Sequence, residues 1–191
     1  MDSGITKSSV LEHFKAGELE VALMQIDESK VRLEKPDYDQ IISFLEQELE
    51  RNVSNQQVRP AKRLARIIHS VKSFRTHGLD PSNVLEPVIL PDSYHGKILL
   101  LSVSGGVIEN TVILRSGDLW HSEILRETQE EIKDLGLASS DAYPLGGAWA
   151  RFEDDSSIVI WGTSDQFGAC DKEAAAKLIQ TVYPHKKILI E

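Results

Sequence analysis

Apolar side chains recur at helical spacing over the first part of the chain. Val10, Leu11 and Phe14 follow Ser8-Ser9, a pair suited to cap a helix. Ala16-Gly17 interrupts the pattern, and Leu19, Ala22, Leu23 and Ile26 resume it. Pro36-Asp37 opens another helix with Ile41, Ile42, Leu45 and Leu49 on one face. Asn52 to Val58 is polar and turn-like; Pro60 then starts a helix striped by Leu64, Ile67, Ile68, Val71 and Phe74 and stopped by His77-Gly78. From Lys97 onward the pattern shortens to apolar runs of strand length at 97–104, 109–115, 143–152, 156–161 and 186–190. Two helical stretches lie among them. One, at 122–135, carries Ile124, Leu125, Ile132 and Leu135 up to Gly136; the other, at 173–182, stops before Pro184. The order is ββαββαβ, a mixed sheet with two helices. Pro81, Pro87 and Pro91 crowd the junction. The pattern predicts an all-α region over 1–85, a proline-containing linker over 86–95 and a domain over 96–191. The fold class is α/β (α+β).

Composition narrows the function classes. The 191 residues are 41% hydrophobic, enough for a core, and the net charge of −9 argues against a general nucleic-acid binder. Cys170 is the single cysteine, so neither an internal disulfide nor a cysteine-rich zinc site can be built. The stretch Met1 to Lys7 lacks a basic segment followed by an apolar one, and no apolar run reaches the ~20 residues of a membrane span. The expectation is a soluble protein of a reducing compartment, cytoplasmic, with no membrane partner. One helix departs from the overall charge: Arg59, Lys62, Arg63, Arg66, Lys72 and Arg75 fall between Arg59 and Gly78 with no acid. It is either a docking surface for an acidic partner or a face packed beside the acidic helices of residues 1–58, which hold twelve acids against six bases.

The candidate chemistry centres on Leu119-Trp120-His121-Ser122-Glu123, where a strand run turns into a helix. The positive end of a helix dipole disfavours an imidazolium, and a neutral histidine can accept a proton as a general base must. His121-Ser122-Glu123 matches the H-x-E half of the zinc deaminases, but the P-C-x-x-C half is missing. Gly162-Thr163-Ser164-Asp165-Gln166 resembles a nucleophile elbow without its last glycine. The longer run Gly162 to Ala169 joins a strand to a helix. It is either an ordinary connection or a loop whose backbone amides converge on phosphate, with Asp165 opposing an anion. Gly146-Gly147 marks either a bulge or a close backbone approach.

In order, these pieces resemble the Janus/Ocnus (phosphohistidine phosphatase-like) family. The similarity runs from Lys97-Ile98-Leu99-Leu100-Leu101 through Trp120-His121-Ser122-Glu123-Ile124, Leu145-Gly146-Gly147, Ile158-Val159-Ile160-Trp161-Gly162-Thr163-Ser164 and Phe167-Gly168-Ala169. It closes on Ala176-Lys177-Leu178-Ile179 and Tyr183-Pro184. The resemblance implies a metal-independent phosphatase of protein phosphohistidine (a phosphoramidate), without cofactor. Its catalytic residues would be His121 as general base and Lys97 as a nearby positive charge. Ser164, Asp165 and Gln166 would bind phosphate through the backbone, with Arg115 as a further basic residue. The implied partner is a phosphohistidine-containing protein; the N-terminal helices have no counterpart and could engage a second protein. The other reading is an inactive adaptor that keeps the fold and docks partners through its basic helix.

Overall fold

A computed structural model describes residues 4–191. The first residues of the stretch inspected for a leader, Met1-Asp2-Ser3, lie outside the described residues.

The chain forms two compact units that are not contiguous in sequence. One comprises the residues up to Leu85 together with Gly105–Ile108 and Glu131–Ser140. It contains four α-helices, α1 (Lys7–Ala16), α2 (Leu19–Ser29), α3 (Lys35–Ser54) and α4 (Val58–His77), then a 3-10 turn at Pro81–Val84. The cap of α1 is Thr6, two residues ahead of the serine pair. Thr6 Oγ1 accepts from Ser9 N (3.2 Å) while Ser9 Oγ accepts from Thr6 N, a reciprocal capping box. Gly17 ends the helix at φ 72°, and a β-carbon there would stand 2.5 Å from Ile67 Cδ1 and 2.6 Å from Arg63 Nη2. Only glycine satisfies both constraints. The polar stretch after Asn52 is shorter as a turn than its composition suggests. The helix runs on to Ser54, with Asn52 Nδ2 donating to the Glu48 carbonyl at 2.8 Å, and Gln56 takes the left-handed conformation at φ 57°. Pro60 falls in the first turn of α4, where its missing N–H has no helical partner to lose.

The apolar stripes meet as drawn from their spacing: Val10, Phe14, Leu19, Ala22, Ile41, Leu45, Ile67, Val71 and Phe74 are buried. Phe14 and Phe74 cross edge to face with centroids 6.3 Å apart. The basic face of α4 is engaged within this unit. Lys72 pairs with Glu46 (2.8 Å), Arg75 with Asp39 (2.9 Å) and Arg66 with Asp134 (3.0 Å). Arg63 Nη2 donates to the carbonyls of Ala16 and Gly17, both at 3.2 Å.

The second unit holds a six-stranded mixed sheet in the order β1-β3-β2-β4-β5-β6. Its strands are β1 (Val88–Ile89), β2 (His95–Gly105), β3 (Ile108–Gly117), β4 (Asp141–Phe152), β5 (Ser157–Trp161) and β6 (Lys187–Ile190). Helix α5 (His121–Asp134) links β3 to β4, and α6 (Lys172–Val182) links β5 to β6. Strand β1 lies in the proline-rich segment and has no periodicity to announce it. It exists through parallel pairing with β3, Val88 opposite Leu114. β5 and β6 are parallel, and β4 is antiparallel to β2 and β5. One sheet face carries Ile98, Leu100, Leu114, Ala148, Ala150, Ile158 and Ile160 against Ala175 and Ile179 of α6. Because side chains alternate along a strand, Leu99, Gly147 and Trp149 face the other way. There α5 begins, close enough that a β-carbon on Gly117 would meet Ile124 Cγ1 at 2.7 Å. No helix of the described residues is long and apolar enough to cross a membrane.

Candidate active site

His121 is the first residue of α5 and is only 4% exposed. Its Nε2 lies 3.2 Å from the Ala148 carbonyl oxygen on β4. A carbonyl only accepts, so Nε2 carries the proton and, in the neutral ring, Nδ1 keeps the lone pair. The ring can approach the strand because Gly147 has no side chain. A β-carbon there would stand 2.6 Å from His121 Cδ2, 2.7 Å from Nε2 and 2.8 Å from Ser164 Cβ. The Gly146-Gly147 pair is a close approach that directly follows a bulge at Leu145, since Gly146 and Gly147 pair with Leu100 and Leu99. The β2–β4 register slips between Leu100 and Leu101, and a β-carbon on Gly146 (φ 120°) would collide with the Ala169 carbonyl.

The loop after β5 closes against the same strand. Gly147 N donates to the Gly168 carbonyl at 2.9 Å, and Gly168 N to the Ser164 carbonyl at 2.9 Å. Ser164 is buried, and its Oγ accepts from Gln166 N (3.3 Å) and Phe167 N (3.2 Å). Those two amides therefore turn inward onto the serine. Asp165 is exposed. The Gln166 side chain reaches back to α5: Oε1 accepts from Ser122 N at 3.0 Å and Nε2 donates to Ser122 Oγ at 3.3 Å. It caps in space the end of α5 that a sequence neighbour usually caps.

Lys97 pairs in register with Trp149 across β2 and β4, on the face that carries Gly147 two residues away. Two residues of strand are roughly 7 Å, so ammonium and imidazole stand over neighbouring positions of β4. Lys97 Nζ lies 4.4 Å from the centroid of the Trp149 ring and 5.6 Å from that of Trp120. The backbone of Lys97 is held by Tyr94, whose hydroxyl shares its proton between the carbonyls of Lys97 (2.8 Å) and Gly117 (2.9 Å) and accepts from Gly117 N (3.0 Å). Burial pushes the Tyr94 phenol up to about 12. Arg115 is 3% exposed, as buried as His121, and donates Nη1 to the Leu114 carbonyl at 2.9 Å. Cys170 is buried in the core cluster facing α6, and burial pushes its thiol up, away from the reactive thiolate.

His121, Gly147 and Ser164 thus converge, with Gln166 tied to the residue after the histidine and Lys97 beside them on the same face. Sequence reasoning had no hold on Trp120 and Trp149 as neighbours of Lys97, nor on the Ala148 carbonyl as partner of His121. The signal available was the aromatic residue directly before the histidine and the glycine pair ahead of a tryptophan. Comparison with protein families matches residues 90–187 to the Janus/Ocnus family (Ocnus). No curated protein matches the chain.

Proposed function

From the premise that the chain belongs to the Janus/Ocnus family, we propose that it hydrolyses a phosphoramidate, protein phosphohistidine, without a metal. The observation that carries the reading is the hydrogen bond from His121 Nε2 to the Ala148 carbonyl. It fixes the orientation of a buried ring and, in the neutral form, leaves the lone pair on Nδ1. In this reading His121 Nδ1 takes a proton from water as the water oxygen attacks phosphorus. The P–N bond breaks, its electron pair returns to the leaving imidazole nitrogen, and the proton that His121 took up passes to that nitrogen through solvent, which restores the neutral base. Lys97 offsets the charge on the phosphoryl oxygens, and a phosphoryl oxygen takes the place of Gln166 Oε1 on the Ser122 amide. A positioned base contributes about 10²–10⁴-fold.

The test is phosphate release from phosphohistidine and phosphotyrosine peptides, with EDTA present. The variants are His121→Ala and His121→Gln; the second keeps a donor for the Ala148 carbonyl and removes the base. Release from phosphohistidine alone, lost by at least a hundredfold in both variants, supports the reading. A His121→Gln protein as active as wild type sinks it.

A second reading has its own support: the Gln166 and Phe167 amides are already satisfied by Ser164 Oγ, and Ser122 N by Gln166. A chain so self-occupied suits an adaptor that keeps the fold without turnover. Absence of release from any phosphoramidate favours it.

A further inference from the structure

Lys97 is held in an unusual manner. Lysines are commonly fixed by a carboxylate, yet among the described residues no acid lies within the 4.0 Å ion-pair distance of its Nζ. Its ammonium instead lies over the rings of two indoles, Trp149 at 4.4 Å and Trp120 at 5.6 Å from the ring centroids. The stack continues behind Trp149. Trp161 lies parallel to it (centroids 6.1 Å apart, 27° between planes), the Arg151 guanidinium covers Trp161 at 4.7 Å and His95 meets that ring edge-on at 5.7 Å. Trp149 is therefore braced, whereas Trp120 is 66% exposed and closes the arrangement on the side next to His121.

We propose that Trp120 and Trp149 are positioning residues that fix the Lys97 ammonium while leaving its charge uncompensated for a phosphoryl group. The inference rests on Lys97 acting as the charge that offsets phosphate in the proposed function. A carboxylate would also immobilise the flexible lysine stem, but it would cancel much of the field at the phosphoryl oxygens. The face of an indole attracts the cation through its quadrupole and adds no net negative charge. Placing two rings against the ammonium lowers its freedom without lowering its usefulness to an anion.

All three tryptophans of the chain belong to this stack, so intrinsic fluorescence reads the site directly. The probe is inorganic phosphate, titrated into wild type, Trp149→Phe, Trp149→Leu, Trp120→Leu, Lys97→Met and Lys97→Met/Trp149→Leu, with 31P line width as a second readout. Trp149→Leu and Trp120→Leu are expected to weaken phosphate by about three- to tenfold. Trp149→Phe, which keeps an aromatic face, should recover most of that. In the Lys97→Met background Trp149→Leu should add nothing, because the tryptophan acts only through the lysine. Equal affinities for Trp149→Leu and wild type overturn the proposal, as does full additivity with Lys97→Met. The clamp is also read without any ligand, through the Lys97 ε-methylene proton shifts, which neighbouring indoles move upfield. Random-coil shifts refute the clamp. Upfield shifts with no phosphate binding in wild type would sink the anion-binding role of Lys97 and this proposal with it, while leaving the cation–indole contact established.

Discussion

Replacing Gly147 by alanine tests the geometry of the site with one methyl group. The new carbon would stand 2.6 Å from His121 Cδ2, 2.7 Å from Nε2 and 2.8 Å from Ser164 Cβ, where ordinary contact begins at 3.4 Å. Something must retreat by about 0.8 Å. The strand cannot, because Gly147 N is bonded to the Gly168 carbonyl at 2.9 Å and Gly147 O accepts from Cys170 N. Ser164 is buried and holds two amides through its hydroxyl. The imidazole is left to move, and its 3.2 Å hydrogen bond to the Ala148 carbonyl has no slack. The φ of Gly147 is not in the left-handed region, so the effect is steric alone. Overpacking of this kind costs about 1–3 kcal/mol, and the lost hydrogen bond adds about 1 kcal/mol. We expect a loss of about 2–3 kcal/mol in urea unfolding at unchanged m-value. The imidazole 1H–15N spectrum should show that the Nε2 proton has lost its partner. If His121 is the base, misplacing it by nearly 1 Å should cut phosphohistidine turnover by about 10²-fold. A variant within about 0.5 kcal/mol of wild type with an unchanged imidazole spectrum would refute the convergence of His121, Gly147 and Ser164.

Gln166→Ala should free the Ser122 amide and tighten inorganic phosphate by about two- to tenfold in a fluorescence titration, the worth of one hydrogen bond; unchanged or weaker binding would show that Gln166 does not compete with an anion. Tyr94→Phe removes the oxygen that accepts from Gly117 N and should cost about 1–3 kcal/mol by denaturant unfolding. The same phenol, pushed up to about 12 by burial, keeps its proton in the fold above the ordinary tyrosine value of 10.0 while the unfolded chain releases it. Its contribution to stability is complete below pH 10 and is lost as the pH rises toward 12, so the alkaline decline in Tm should be shallower in Tyr94→Phe. Gly17→Ala imposes a left-handed φ of 72° on a β-carbon and drives it into Ile67 and Arg63, so urea unfolding should report a loss of about 2–3 kcal/mol.

Much of the fold was written in local pattern. The stripes of the N-terminal helices, the five longer strands and both helices of the sheet unit follow from spacing that any short window displays. The errors occur where the local signal was thin. Thr6 caps α1 because its hydroxyl meets Ser9 N, a choice among three hydroxyl residues within four positions that composition could not rank. Strand β1 is two residues long and is defined by its neighbour β3. Helix α3 outlasts its polar end because helical hydrogen bonding continues through residues of modest propensity once α3 and α4 are paired as a helical hairpin.

For the site, the sequence by itself determined the ingredients: a histidine opening a helix, a lysine early in a strand, a glycine pair, a serine loop and an order of motifs that resembles one family. Tertiary structure alone decided their relations. Ala148 follows His121 by 27 positions, and only the β2–β4 register with its bulge puts that carbonyl beneath the imidazole and settles which nitrogen holds the proton. Gln166 meets Ser122 across 44 positions, and Lys97 meets Trp149 because cross-strand partners share a face. Local propensity acts over a few residues; strand pairing and helix placement act over the whole unit. The chemistry of this site depends on the second.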